Sequence, residues 1–118
     1  MKDNKVVVDG GGKRFDEGKM PIDLVPTSSI YAIAKVMEYG SSKYEEHNWR
    51  RGMPWTKPYS CAQRHLLKWF EGEELDEESG LNHLYHVMAN IAMLIEYNTT
   101  CPDLDNRFKG NVKGHKDV

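Results

Sequence analysis

Residues 64–90 read RHLLKWFEGEELDEESGLNHLYHVMAN, and the middle of that stretch is crowded with carboxylates, among them Glu71, Glu73, Glu74, Asp76 and Glu78. A Ser79-Gly80 break follows them. Beyond it, His83, His86 and Asn90 are spaced i, i+3, i+7 and so share one face of a helix. The pattern constrains the chain to a helix–turn–helix corner at which acids and imidazoles converge. Oxygen donors and imidazoles brought together in this way are what a divalent-metal site requires. Acids so crowded also repel one another, by roughly 0.2–0.5 kcal/mol per exposed neighbouring pair on a helix. A solvated acidic turn tolerates that repulsion and a cation converts it into binding, so the pattern alone leaves both readings open.

Around the corner the periodicity predicts three helices. Pro26-Thr27-Ser28-Ser29 supplies an N-cap for the first, with Ile30, Ile33, Ala34 and Met37 as its apolar stripe, Tyr31 and Val36 beside it, and Tyr39-Gly40 as its close. The second is expected over 59–72, with Leu66, Leu67, Trp69 and Phe70 facing the core and His65 one turn from Trp69. The third, over 81–97, is apolar nearly all round, which places it centrally in its domain or its oligomer. Lys5-Val6-Val7-Val8 could form a short strand, but no second strand is evident to pair with it. A single domain over 1–118 is expected, with a core at about 13–97 and an irregular tail at 98–118.

Two loops carry further chemistry. The connection 41–58 contains Trp49, Trp55, Tyr44 and several cations. A short helical turn over 42–47 is expected there, the rest being irregular. Lys43, Asn48, Trp49, Arg50 and Arg51 could stack a base and hold phosphates; a pair of tryptophans closing the edge of the core explains the composition equally well. Gly10-Gly11-Gly12 lacks the order of a phosphate-binding loop and reads as a linker. Arg14 and Lys19 beyond it suit either charge-assisted phosphate contacts or a solvated turn.

A net charge of −2, with 29% charged and 39% hydrophobic residues, supplies no bulk attraction to nucleic acid or membrane. No apolar run reaches the ~18 residues of a membrane span. Cys61 and Cys101 form no CxxC pattern, and the N-terminus lacks the apolar region of a signal peptide; both point to the cytoplasm. The H-E-x-x-H and G-x-S-x-G patterns are absent. Metal-assisted phosphate chemistry suits the remaining donors best.

Four blocks then occur in order: R-x-D-x-G-K-x-P-x-x-L-V-P at 14–26, Y-G-x-x-K-Y-x-x-x-N-W at 39–49, R-H-L at 64–66, and G-E-x-x-D-x-E-S-G-L-x-H-L-x-H-x-x-x-N at 72–90. This order resembles the phage-type dATP/dGTP diphosphohydrolase domain, over roughly residues 13–97. The resemblance implies an all-α fold, a MazG-like helical bundle with long functional loops; a third helix so apolar in so short a chain predicts a homo-oligomer, dimer or tetramer, that completes it. The resemblance also implies hydrolysis of a purine deoxynucleoside triphosphate to monophosphate and pyrophosphate with Mg²⁺ or Mn²⁺, acting on a phage host's nucleotide pool in the host cytoplasm. Glu73, Asp76, Glu78, His83 and His86 are the expected metal-holding residues, with His65, Glu73 and Asp76 in catalysis. Arg14, Lys19, Lys43, Asn48, Trp49 and Arg64 are expected to bind substrate. One departure stands out: His83-x-x-His86 occupies the place where MazG-like enzymes carry E-x-x-D. If the metal has been lost with that change, the chain binds nucleotides without cleaving them. A third, plainer reading is an oligomerising helical protein whose acidic loop is only solvated.

Overall fold

The computed structural model describes residues 10–15 and 17–109. Its frame is three helices: α1 (Thr27–Lys43), α2 (Thr56–Phe70) and α3 (His83–Thr100). Single 3-10 turns occupy Ile22–Leu24, Asn48–Arg51 and Pro102–Leu104. The fold is all-α as expected, and no strand forms among the described residues; one isolated antiparallel bridge joins Leu75 to Asn82. The Lys5–Val8 segment, which the sequence leaves open as a short strand, and the end of the tail, 110–118, lie outside the described residues. No described helix is long and apolar enough to cross a membrane.

Helix α3 is the central element, packed against both α1 and α2. Its central place agrees with expectation, but its buried face does not follow its apolar residues. His83, His86, Ala89, Asn90 and Tyr97 are buried, whereas Ile95 is 69% exposed. The imidazole–amide stripe is therefore the inward face. Helix α2 departs further. Leu66, Leu67, Trp69 and Phe70, the expected core face, are all exposed, and Phe70 most of all at 80%. Pro58 and Ala62 are buried instead, with Cys61 and His65 half-buried beside them. Small buried residues on both helices, Ala62 and Ala89, let them approach with polar side chains between them, and the large apolar residues of α2 remain on the outer surface.

Helix α1 buries Ala32 and Val36 rather than Ile30 and Ala34. It also continues through Gly40 to Lys43. An interior glycine costs about 1 kcal/mol relative to alanine, and three features offset it. Ser41 and Ser42 return their hydroxyls to the carbonyls of Glu38 and Tyr39 at 2.8 and 2.7 Å, and Lys43 lies in the negative last turn. At the other end, Pro26 is the cap residue, and no side chain caps the helix.

Helix α2 begins three residues earlier than expected, at Thr56. Pro58 is tolerated there because first-turn N–H groups have no intrahelical partner. The free N–H of Thr56 is taken by Asn106 Oδ1 at 3.0 Å, so this part of the tail is structural. Trp55 is buried and donates from Nε1 to the Cys101 carbonyl at 3.1 Å, while its backbone N–H reaches the Leu104 carbonyl at 3.1 Å. Of the two tryptophans in the long connection, Trp55 closes the core edge and Trp49 does not.

Candidate active site

The corner between α2 and α3 is shaped by its own backbone. Helix α2 ends in a Schellman motif: Gly72 at φ +106° donates to the Trp69 carbonyl at 3.1 Å, and Glu73 donates to that of Lys68 at 3.0 Å. Only glycine adopts that φ without strain, and the reversal throws Glu73 back towards α3. The turn then closes on itself. Asp76 N–H reaches the Leu81 carbonyl at 2.8 Å, Gly80 N–H reaches that of Asp76 at 2.8 Å, and His83 N–H reaches that of Glu74 at 3.0 Å. Asn82 caps α3 by accepting from the Leu84 N–H at 2.7 Å.

These bonds fix which acids point inward. His83 is fully buried, and its Nε2 lies 2.8 Å from Glu73 Oε2. Its Nδ1 faces His65 Nδ1 at 2.8 Å. The His65 ring stacks on His86 with centroids 4.3 Å apart and planes 7° from parallel. His86 Nε2 in turn meets Ser79 Oγ at 2.7 Å, and Ser79 N–H donates to Asp76 Oδ2 at 2.8 Å. One nitrogen from each of His65 and His83 and a carboxylate oxygen of Asp76 lie within 4.8 Å of one another. No buried side-chain donor or acceptor among the described residues is left without a partner.

The electrostatics follow from burial. Desolvation, helped by neighbouring His86, pushes His65 down to about 4, so it is neutral at pH 7. Desolvation likewise lowers His86. For Asp76, burial raises the carboxyl, but hydrogen bonds from Ser79 and the facing imidazoles outweigh it and the net shift is downward. The corner therefore sets the neutral rings of His65 and His86 beside the ionised carboxylate of Asp76. A triphosphate is repelled by such a place unless a cation intervenes.

Expected site residues fall into three groups. His65, Glu73, Asp76, His83 and His86 come together as described. Glu78 does not join them. It accepts from Lys43 Nζ at 2.6 Å and from Tyr39 Oη at 3.0 Å, and Lys43 chiefly holds its carboxyl below the usual range. Lys43 is thereby tied to an acid. Arg64 is exposed on α2, and Arg14 and Lys19 are exposed on the leading segment. Asn48 and Trp49 belong to a neighbouring cavity.

That cavity is a groove of about 640 Å³ between α1 and the start of α2, floored by Asn90 and Met93 of α3. Trp49, Tyr44, Met37 and Met53 give it flat and flexible apolar walls, and Asn48, Arg50 and Lys57 add polar groups. Trp49 is held from behind: Tyr97 Oη donates to its carbonyl at 2.6 Å, and the two rings lie 6.1 Å apart. Arg50 covers its ring at 4.5 Å. The groove meets the corner at two points. Asn90 lines the groove and donates to the His86 carbonyl at 2.8 Å, and Tyr39, next to groove-lining Gly40, sets its ring edge-on to His86 at 6.1 Å. Ser79 and Tyr39 were not singled out from the sequence. Ser79 stands there as half of a turn signal and Tyr39 as a helix end.

A family model described as dATP/dGTP diphosphohydrolase, N-terminal, matches residues 9–107. A Salmonella phage PMBT28 protein named dATP/dGTP diphosphohydrolase is 28% identical over 96 residues, covering 81% of this chain and 33% of its own length. The chain thus spans about a third of that relative. No solved structure matches.

Proposed function

From a chain that belongs to the dATP/dGTP diphosphohydrolase N-terminal family, we propose a protein that binds a purine deoxynucleoside triphosphate and hydrolyses it to the monophosphate and pyrophosphate. The observation that carries the proposal is the continuity between an aromatic-walled groove and a polar corner through Asn90, His86 and Tyr39. A cavity of about 640 Å³ lies within the ordinary range for small-molecule sites. The base would lie against Trp49, whose ring is already braced on its other side, and base–aromatic stacking contributes about 1–3 kcal/mol. Asn48 offers a donor and an acceptor to the base edge or sugar, and Asn90, whose amide nitrogen donates to His86 and Cys61, offers its oxygen. Lys57 and Arg50 would answer the phosphates.

The phosphates would run towards His65, Asp76 and His83. These residues suit a divalent cation, which when bound lowers the pKa of a water and neutralises phosphate charge. The chain's own contribution is orientation. Glu73 Oε2 holds His83 through Nε2, Ser79 fixes Asp76 by its N–H, and His86 supports His65 from below. With its imidazole held down to about 4, His65 is a neutral ligand or donor at pH 7 rather than a store for a proton.

Incubation of the pure chain with dGTP or dATP and Mn²⁺ or Mg²⁺, with products resolved by ion exchange, tests the proposal. Monophosphate and pyrophosphate in equal amounts are expected. A second reading is favoured by one observation: 67% of the phage relative's length lies outside the match. A module that holds the nucleotide while another part of a longer protein cleaves it would bind dGTP and leave it intact.

A further inference from the structure

We propose that His65, Asp76 and His83 form a transition-metal site that takes Mn²⁺, Fe²⁺, Co²⁺ or Zn²⁺ ahead of Mg²⁺, with Glu73 as a positioning residue acting through His83. This inference deepens the functional reading above and is tested without nucleotide, so each stands or falls by itself.

Geometry comes first. The three side chains arrive from three different places, α2, the turn and the start of α3, and still present one donor atom each within 4.8 Å. Two ring nitrogens 2.8 Å apart need something between them. In the metal-free chain a single proton serves; a cation accepting both lone pairs serves as well. His83 has its other nitrogen 2.8 Å from a carboxylate. A carboxylate on the far nitrogen is the usual companion of a metal-bound histidine, because it sets the tautomer and raises the basicity of the nitrogen facing the metal. Asp76 is held in the same manner by the Ser79 N–H at 2.8 Å. Support of this kind is what a ligand set needs if it is to keep its shape when empty.

Donor chemistry then selects the ion. Mg²⁺ demands oxygen ligands and retains its waters, whereas imidazole suits the later first-row ions. Two imidazoles and one carboxylate are therefore poorly matched to Mg²⁺. An acidic turn that delivered Glu73, Asp76 and Glu78 together would have favoured it. Instead Glu78 is turned outward to Lys43 and Tyr39, and Glu73 reaches the corner through a histidine.

The test is titration of the full chain, free of nucleotide, with Mg²⁺, Mn²⁺, Co²⁺ and Zn²⁺ by calorimetry, together with pulsed electron paramagnetic resonance of the Mn²⁺ form. Expected are Co²⁺ and Zn²⁺ binding at least ~10-fold tighter than Mg²⁺ and nitrogen couplings from imidazole on bound Mn²⁺. His65→Ala and Asp76→Asn should each abolish uptake, with helical content by circular dichroism unchanged. Glu73→Gln should weaken binding about 10–100-fold while the nitrogen couplings persist, and Glu78→Gln should bind as the parent does. Mg²⁺ binding as tight as Co²⁺, Mn²⁺ spectra without nitrogen coupling, or full uptake by folded His65→Ala protein would each overturn the site.

Discussion

The two connections between helices, residues 44–55 and 71–82, are twelve residues each and differ in how their functional side chains are fixed. The second holds itself. Its bonds run from Asp76 to Leu81, from Gly80 to Asp76 and from His83 to Glu74, and its side chains are mostly acids. The first has turn bonds of its own, Asn48 to Glu45, Arg50 to His47 and Gly52 to Trp49, but its tryptophans are fixed from outside, by Tyr97 on the Trp49 carbonyl and by Cys101 and Leu104 on Trp55. A loop that must aim charged groups gains from a local ladder, because misplacement of a desolvated charge costs several kcal/mol. A loop that must offer a flat apolar wall needs only backing. The chain thus separates a pre-set polar corner from a groove whose tryptophan wall is backed by Tyr97 near the end of α3.

The separation is broken most severely at Asp76. Asp76→Asn should lower product formation by about 100-fold or more while nucleotide affinity stays within a few-fold of the parent, as read by single-turnover assay beside calorimetry. Trp49→Ala should do the reverse. Nucleotide affinity should fall by about 1–3 kcal/mol with metal uptake intact; an equal loss of both would show that groove and corner act as one unit. Gly52 joins the first connection to the tail. At φ +96° its added Cβ would meet Leu104 Cδ1 at 2.8 Å and Cys101 Sγ at 2.9 Å. Gly52→Ala should therefore destabilise by about 1–3 kcal/mol, seen as a lower Tm, and weaken nucleotide binding before it touches the corner.

Acid sharpens the contrast from the other side. In the metal-free chain His65 stays neutral down to about 4, but the unfolded chain protonates it near 6.5. The unfolded state therefore binds more protons in that window, and stability falls as pH drops from 6.5 towards 4. His65→Gln should flatten that part of the profile in urea denaturation at stepped pH. The smallest effect belongs to Glu78→Gln. Its pair with Lys43 is exposed, and exposed pairs contribute little, so no resolvable change in Tm is expected.

How much of this could be read from the chain follows from what each part depends on. The stripe of His83, His86 and Asn90 was legible because helical spacing alone puts them on one face, and that face is buried. The Ser79-Gly80 break and the gathering of acids before it were legible too. The direction of each acid was not. Glu73 points in and Glu78 points out because of a left-handed glycine at 72 and the hydrogen bonds of the turn, and residue type records neither. Helix α2 misled for a different reason. Hydrophobicity ranks Leu66, Leu67 and Phe70 above His65 and Ala62, yet packing two helices around imidazoles favours the small and polar side. Trp49 and Trp55, alike in composition, were separated only by what stands behind them.

One feature of the corner reaches into folding. His65 and His83 meet across 18 positions of chain, and the entropy lost on closing so short a loop is small. The α2–α3 hairpin is accordingly a contact of low order, of the kind that forms early. An ion gripping its mouth would bind the closed hairpin and not the open chain. By linkage, free metal at 100 times its Kd would add about 2.7 kcal/mol to stability. The concentration of folded chain in a cell would then follow the cell's supply of that ion.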